Sequence, residues 1–196
     1  MLRVLLVDLL RPLIAAWQQA FAAIPDVEIR EDDFFSLDAD ALVSPANSFG
    51  IMDGGLDLAI RARLGGDIEQ RVQQRILSEH HGELPVGSAE VIETAHERWP
   101  FLVVAPTMRV PESVANTLNA YLAFRATLLA LSKHNSSSSK PIRSVVVPGL
   151  GTGIGGIDPR RCAAQMRIAF DQLSKPARIP SYSLIHDTHH KLRSAL

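Results

Sequence analysis

Two glycine-bearing loops, each directly after a strand-forming run, constrain the fold of this chain more than any other feature. The run 41–43 leads into loop 1, which we define as residues 44–57 and which contains Gly54–Gly55. The run 145–147 leads into loop 2, residues 148–156, which contains five glycines. Open backbone N–H groups and a helix start behind each loop favour a bound phosphate. Because loops at the carboxyl ends of parallel strands flank one crevice, the sequence predicts a diphosphate held between these two loops.

Strand-like and helix-like segments alternate along the rest of the chain. Apolar runs and apolar–polar alternation predict strands at residues 3–7, 27–30, 40–43, 88–94, 101–105, 143–147 and 182–185. Helical periodicity predicts helices at residues 11–23, from 56 to the stop at 65–66, 67–79 with Asp67 as its cap, 112–132 and 159–173. This alternation predicts an α/β fold, a three-layer α/β/α sandwich with a mixed, mostly parallel central sheet. The serine-rich segment 135–141 lies inside the alternation, so we interpret it as a loop and expect one domain over residues 1–196.

Composition and charge exclude several classes of function. A formal net charge of -1 at pH 7 disfavours a general nucleic-acid binder or a membrane-surface binder, because both normally carry a basic excess. No run approaches the ~20 apolar residues that span a bilayer, and the apolar run at the N-terminus is too short for a signal peptide. Cys162 is the only cysteine, which excludes an internal disulfide and indicates a reducing, cytoplasmic location. The histidine pairs at 80–81 and 189–190 lack a carboxylate or cysteine at ligand spacing, so no metal or other cofactor is expected.

Each notable residue of the two loops has a functional and a structural interpretation. Gly151–Gly156 has the spacing G-x-G-x-x-G, but a dinucleotide-binding fold places that motif after its first strand, so a ligand-free turn is the alternative. In loop 1, Asn47 could orient a sugar hydroxyl or bond its own turn. Asp57 could position a water or act as a charge at a helix N-terminus. Arg109, after a predicted strand, could contact a phosphate or form a surface ion pair.

Taken together, these residues resemble the macrodomains, a family that binds ADP-ribose and its derivatives. Residues 40–47, Asp-Ala-Leu-Val-Ser-Pro-Ala-Asn, are similar to the family's Asp-Ala-Ile-Val-Asn-Ala-Ala-Asn. Gly54–Asp57 looks like the end of the family's glycine-rich loop, and loop 2 looks like its phosphate-cradling loop. The resemblance covers residues 27–185. It implies ADP-ribose or an ADP-ribosylated molecule as the partner, and a hydrolase acting on ADP-ribose derivatives as the activity.

The resemblance also implies roles for individual residues. Asp33 would accept a hydrogen bond from the adenine amino group, and Phe34 would donate a backbone N–H beside it. Asn47 would hold the distal ribose and Asp57 stands in the place of the catalytic aspartate, so these two are the candidate catalytic residues. His186 would lie against the adenine. Backbone groups would contact the ligand at Gly54, Gly55, Gly151, Thr152, Gly153, Ile154, Gly155 and Gly156.

Two departures from the family pattern leave the activity open. Ser44 replaces the first asparagine of the motif, and Gly155 stands where many hydrolytic members carry an aromatic residue against the distal ribose. The first interpretation is hydrolysis that removes mono-ADP-ribose from a protein or an acyl group from O-acyl-ADP-ribose. The alternatives are a non-catalytic ADP-ribose reader and an ADP-ribose 1″-phosphate phosphatase, and Gly155 favours both of them over the first interpretation.

Overall fold

Six strands form one sheet in the structure, a computed structural model that describes residues 2–194. The strands are β1 (Arg3–Asp8), β2 (Val27–Glu31), β3 (Ala41–Ser44), β4 (Glu90–Glu93), β5 (Phe101–Val104) and β6 (Ser144–Val147). The helices are α1 (Arg11–Ala20), α2 (Gly55–Leu64), α3 (Ile68–His80), α4 (Asn119–Ser137), α5 (Pro159–Leu173) and α6 (Tyr182–Ser194). The strand order is β2-β1-β6-β3-β5-β4, and every neighbouring pair is parallel except β4 with β5. This arrangement confirms the predicted mixed, mostly parallel sheet.

Helices cover both faces of the sheet because its strands direct apolar side chains into two cores. In β6, Val145 and Val147 belong to the core formed with α1, α4 and α5. Val146, between them, belongs to the core formed with α2 and α3. Burial on both faces explains why the central strands are continuous apolar runs. The layering confirms the predicted α/β/α sandwich. Within residues 2–194, no helix combines the length and hydropathy needed to cross a membrane.

The sheet order brings the two glycine loops together. The parallel neighbours β1, β6 and β3 end at the same edge of the sheet. Asp8 at the end of β1, loop 2 after β6 and loop 1 after β3 therefore lie side by side, with loop 2 in the middle. β2 extends this edge beyond β1, and β5 extends it beyond β3. A ligand at this edge can therefore contact segments that are far apart in the chain.

The C-terminal segment differs from the prediction. Residues 182–185 are the first turn of α6 and not a strand, so this prediction is wrong. Leu184 and Leu192 are eight residues apart, a spacing that puts both on one face of a helix. Leu192 is the buried one, and its carbonyl oxygen accepts a hydrogen bond from Gln165 Nε2 of α5 at 3.1 Å. The apolar pair at 184–185 imitates a strand because four residues are too few to reveal the helical period.

The helix predicted at 112–132 is shifted along the chain. It begins at Asn119 and continues to Ser137, so the predicted loop at 135–141 is wrong for its first three residues. Residues 112–118 form other hydrogen bonds. The Val114 N–H donates to the Gly155 carbonyl at 2.8 Å, and the Thr117 hydroxyl accepts from the Asn119 N–H at 3.2 Å. This segment is therefore a support for loop 2.

Two smaller differences concern helix ends. Helix α1 ends at Ala20 and not at residue 23: Phe21 already departs from helical values with a φ of -105° and a ψ of 16°, and Ala23 has a φ of 62°. Asp67 precedes α3 as predicted, but its side chain does not cap the helix. Its carboxylate instead pairs with Arg71, one turn later, at 2.6 Å.

Candidate functional site

A cleft of about 570 Å³ opens where loop 1 and loop 2 meet at the carboxyl edge of the sheet. Its walls come from four places in the chain. They are Asp8 and Leu10 after β1, residues 45–47, 51 and 53–57 of loop 1, Thr107, Met108 and Pro111 after β5, and residues 148, 149 and 151–155 of loop 2. The structure therefore brings together nine of the predicted site residues, namely Asn47, Gly54, Gly55, Asp57, Gly151, Thr152, Gly153, Ile154 and Gly155.

A second cleft, of about 560 Å³, is lined by residues of α3, α4, β4 and β5. Its two arginines already have partners. Arg71 pairs with Asp67 at 2.6 Å and donates to the Glu93 carbonyl at 3.2 Å, while Arg75 lies 3.8 Å from Glu79. None of the predicted site residues lines this second cleft. We therefore take the cleft between the two loops as the candidate site.

Loop 2 is fixed at its first glycine by a carboxylate of β1. The Gly149 N–H donates to Asp8 Oδ2 at 3.0 Å, and Asp8 Oδ1 accepts from the Leu10 N–H at 2.9 Å. A Cβ added at Gly149 would lie 2.6 Å from Leu13 Cδ2 and 2.9 Å from Asp8 Oδ2. Only glycine permits this close approach, which connects loop 2 to the end of β1.

The middle of loop 2 presents backbone N–H groups without acceptors. Gly151 has a φ of 71°, and its carbonyl accepts from the Ile157 N–H at 2.9 Å. The Gly156 N–H donates to the Gly153 carbonyl at 3.0 Å. Within the described chain, no hydrogen bond is made by the N–H groups of residues 151–155, all of which line the cleft. Successive N–H groups of this kind form a concave site for an anion.

Gly155 leaves no room for a side chain. A Cβ at this position would lie 2.6 Å from the Gly151 carbonyl oxygen and 2.7 Å from Val114 Cγ2. The segment around Val114 therefore occupies the space into which a larger residue at 155 would project.

Asn47 both lines the cleft and organises loop 1. Its Oδ1 accepts from the N–H groups of Phe49 at 3.0 Å and Ile51 at 3.3 Å. Its Nδ2 donates to the Ile51 carbonyl at 2.8 Å. The structural interpretation of Asn47 as a turn residue is therefore correct. Because the amide nitrogen carries two hydrogens, one of them is left over for a ligand.

The segment after β5 attaches loop 1 to the sheet. The Thr107 hydroxyl donates to the Pro45 carbonyl at 3.0 Å, and the Thr107 N–H donates to the Ala46 carbonyl at 3.1 Å. Asn119, the first residue of α4, donates from Nδ2 to the Thr107 carbonyl at 2.7 Å. This chain of bonds fixes the backbone on the side of the cleft opposite Asp8.

Asp57 lies in the first turn of α2, with a hydroxyl group held against it. The Ser44 hydroxyl, at the end of β3, donates to Asp57 Oδ1 at 2.5 Å, and Ser44 is 1% exposed. Burial raises the pKa of Asp57 to about 6; the Ser44 hydrogen bond opposes this rise, and the neighbouring Asp53 carboxylate adds to it. A carboxyl group that titrates near neutrality can both accept and release a proton.

Four predicted residues do not line the cleft. Asp33 is exposed after β2, and its Oδ1 accepts from the Phe35 N–H at 2.8 Å. Phe34 is buried, with its ring packed edge-to-face on Phe35 at 5.2 Å. The N–H of Asp32 donates to the Asp8 carbonyl at 3.3 Å, so this segment continues the edge of the sheet next to the cleft. Gly156 lies directly after the residues that line it.

His186 is the fourth of these residues, and the structure does not bring it to the cleft. It is an exposed residue of α6, which packs on α5. Its ring contacts those of Tyr182 at 6.2 Å and His190 at 4.5 Å. The strand that His186 was expected to follow is helix α6, so the structure gives no support for the predicted contact with the adenine.

Arg109 was expected either to contact a phosphate or to form a surface ion pair, and the structure shows the ion pair. Its Nε and Nη2 donate to the two carboxylate oxygens of Glu83 at 2.8 and 3.0 Å. Its guanidinium lies over the Phe49 ring at 5.1 Å. Arg109 is therefore already engaged and does not line the cleft.

The sequence reasoning missed the residues that line the cleft after β1 and β5. Asp8 directly follows the strand-like run 3–7, the same position relative to a strand that marked loops 1 and 2. That position was a usable signal for Asp8. Met108 and Pro111 belong to the segment after a predicted strand in which only Arg109 was considered, and the pairing of β5 with β3 brings them to the cleft.

Known proteins are similar to this chain in sequence or in fold. The family model described as Macro domain matches residues 43–166, more than half of the chain. An uncharacterized protein of Aquifex aeolicus is 32% identical over 144 residues, which cover 73% of this chain and 79% of that protein. The macrodomain of Mycobacterium tuberculosis DarG has a TM-score of 0.60 at 24% identity, over 72% of this chain and 88% of that one. Thermosipho africanus DarTG in complex with ADP-ribose has a TM-score of 0.54 at 20% identity, over 76% of this chain and 41% of that one.

Proposed function

The chain belongs to the macro domain family, and from this premise we propose that the cleft binds ADP-ribose and that the protein hydrolyses a group attached to the distal ribose. One observation carries the binding proposal. The N–H groups of residues 151–155 have no acceptor within the described chain, and Gly54, at the start of α2, supplies no side-chain cap. Two sets of open N–H groups thus face one cleft, which suits a diphosphate. The ADP-ribose complex of DarTG, a protein of similar fold, supports the same ligand.

The strand order suits the linear shape of ADP-ribose. Along the carboxyl edge, the sheet presents β2, β1, β6 and β3 in that order. The adenine would lie beyond β1, with Asp33 accepting from its amino group and Phe34 donating a backbone N–H. The diphosphate would lie on loop 2 and the distal ribose on loop 1, next to Asn47. These four strands span about 14 Å at the usual strand spacing, which is room for an extended ligand.

Asp57 would be the general base of the hydrolysis. With a pKa of about 6, it is mainly ionised at neutral pH and still basic enough to take a proton from water. The oxygen of that water forms a bond to the anomeric carbon, or to the carbonyl carbon of an acyl ester. The bond to the protein acceptor or to the ribose oxygen then breaks, and a proton passes to the leaving group. The substrates are mono-ADP-ribosylated protein and O-acyl-ADP-ribose.

A specific observation also favours a second function, that of a reader that binds ADP-ribose without turnover. Asn47 uses three hydrogen bonds within loop 1, and Gly155 provides no aromatic surface against the ribose. Both features leave the distal ribose less tightly held than a hydrolase requires. In either function, we propose that the chain acts as one macrodomain.

Calorimetry with AMP, ADP and ADP-ribose tests the proposed ligand. We expect affinity to increase in that order, because ADP adds the diphosphate for loop 2 and ADP-ribose adds the distal ribose for loop 1. Equal affinity for AMP and ADP-ribose would show that the two loops do not grip the ligand. Incubation of the protein with mono-ADP-ribosylated protein then separates hydrolase from reader, since only a hydrolase releases free ADP-ribose.

A further inference from the structure

The charges of the cleft have one sign. Among residues 2–194, the ionisable side chains that line it are Asp8, Asp53 and Asp57, with no lysine, arginine or histidine. Three arginines on the neighbouring elements are paired with carboxylates. Arg61 of α2 contacts Glu69 at 2.7 Å, Arg11 of α1 contacts Glu31 at 2.8 Å, and Arg109 is held by Glu83. The cleft therefore attracts an anion only through backbone dipoles.

The three carboxylates are not equally compensated. Asp8 accepts N–H groups from Leu10 and Gly149, and Asp57 accepts the Ser44 hydroxyl. Asp53 is exposed and accepts no hydrogen bond from the described chain, so among the three carboxylates its charge is the least compensated by bonded partners. Asp53 and Asp57 both belong to loop 1, and the Asp53 carboxylate contributes to the raised pKa of Asp57. The loop 1 end of the cleft is thus its more negative end.

We propose that the cleft accepts ligands whose only anionic group is the diphosphate, and that Asp53 and Asp57 exclude a further phosphate at the ribose end. This inference rests on the proposed function and refines it. Backbone N–H groups suffice for one diphosphate, whereas a terminal phosphomonoester carries close to two more negative charges at pH 7. The substrate then carries a neutral or cationic substituent on its distal ribose. ADP-ribose 1″-phosphate is not a substrate, and the reaction that supplies this protein is one whose product carries no negative charge on the group attached to the distal ribose.

Calorimetry with ADP-ribose and ADP-ribose 1″-phosphate in low-salt buffer at neutral pH tests the inference. We expect the 1″-phosphate to bind about ten-fold more weakly or worse, because like charges within a few ångströms repel even when partly solvated. Added salt reduces the difference in affinity between the two ligands, since screening weakens the repulsion. Equal or tighter binding of the 1″-phosphate overturns the inference while leaving the proposed function intact. Absence of ADP-ribose binding overturns the proposed function itself, and the inference with it.

Asp53→Asn tests whether the Asp53 charge is responsible for the weaker binding of ADP-ribose 1″-phosphate. The change keeps the size of an exposed side chain, so folding is not at issue. We expect the ratio of the two dissociation constants to fall by about three-fold or more, a modest value because water screens an exposed charge. The matched control is Asp187→Asn, an exposed carboxylate of α6, which should leave the ratio unchanged. An Asp53→Asn protein with the wild-type ratio contradicts the role given to Asp53.

Discussion

Loop 1 and loop 2 face the same cleft but are built in opposite ways. In loop 1, side chains form the structure: Asn47 bonds its own turn, and Ser44 holds Asp57. In loop 2, the backbone forms the structure, because its glycines permit close contacts and its supports come from Asp8 and Val114 outside the loop. The difference separates two tasks. We expect substitutions in loop 1 to change chemistry, and substitutions in loop 2 to change whether the ligand fits.

The largest expected effect tests the chemistry of loop 1. Asp57→Asn should slow release of ADP-ribose from mono-ADP-ribosylated protein by about a hundred-fold or more, the usual contribution of a positioned base. Binding of ADP-ribose should change far less, because the N–H groups of loop 2 remain. Asp187→Asn serves as the control with unchanged turnover. Equal rates above background for wild type and Asp57→Asn would remove Asp57 from the mechanism, and no release from wild type would favour the reader.

A substitution in loop 2 should weaken the binding of ADP-ribose without changing the fold of the protein. A Cβ at Gly153 meets no atom within 4 Å, and its φ lies outside the left-handed region, so Gly153→Val should keep the wild-type melting temperature. In the complex, the added side chain would overlap the bound diphosphate; overpacking of this kind costs about 1–3 kcal/mol, so ADP-ribose affinity should fall by about five-fold to a hundred-fold. Gly66→Val, equally open but outside the cleft, is the matched control. Wild-type affinity of a folded Gly153→Val protein would show that loop 2 does not cradle the diphosphate.

The adenine end lies outside both loops and should show a smaller effect. Asp33→Ala removes a hydrogen bond to a charged acceptor, which is worth about 1.5–3 kcal/mol; because Asp33 is exposed, we expect the low end of this range and about ten-fold weaker binding of ADP-ribose. Asp32→Ala is the control, because Asp32 is also exposed and its Oδ1 also accepts a local N–H, from Asp33 at 2.7 Å. Normal affinity of Asp33→Ala at an unchanged melting temperature would refute the adenine assignment.

The smallest expected effect concerns the Ser44–Asp57 pair. The Ser44 hydroxyl stabilises the ionised carboxylate and so lowers its pKa; Ser44→Ala should therefore raise the pKa of Asp57 above about 6. Only the ionised form of Asp57 is a base, so turnover falls as the pH drops below the pKa of Asp57. In Ser44→Ala this fall should therefore begin at a higher pH than in wild type. NMR titration of Asp57 measures the same shift without requiring turnover.

Ser144→Ala is a matched control for that experiment. The Ser144 hydroxyl also donates to an aspartate, Asp40 at 3.0 Å, but at the opposite end of the parallel strands. The Ser144→Ala substitution should leave the pKa of Asp57 unchanged. A pKa of Asp57 that does not move in Ser44→Ala would mean that the hydroxyl does not set the proton affinity of the base.

Much of the fold was predictable because its signals are local. The strand β6 contains the continuous apolar run 145–147, and α5 was predicted with its observed bounds, where the structure shows Pro159 at the first position and Asp158 as the cap. The prediction failed where partners distant in the chain decide the conformation. Residues 112–118 were assigned to a helix, but the hydrogen bond from Val114 to Gly155 holds them against loop 2. His186 was misplaced for the same reason, since α6 is defined by its packing on α5.

The sequence by itself determined the class of fold and the two loops, because apolar period, glycines and the residues after each strand can be read along the chain. Only the tertiary structure decided what the loops enclose. The order β2-β1-β6-β3 places Asp8 against Gly149, and the packing of α2 on β3 buries Asp57 against Ser44. Strand order and burial depend on contacts between distant residues. The pKa of Asp57 and the negative charge of the cleft follow from those contacts, and no local pattern contains them.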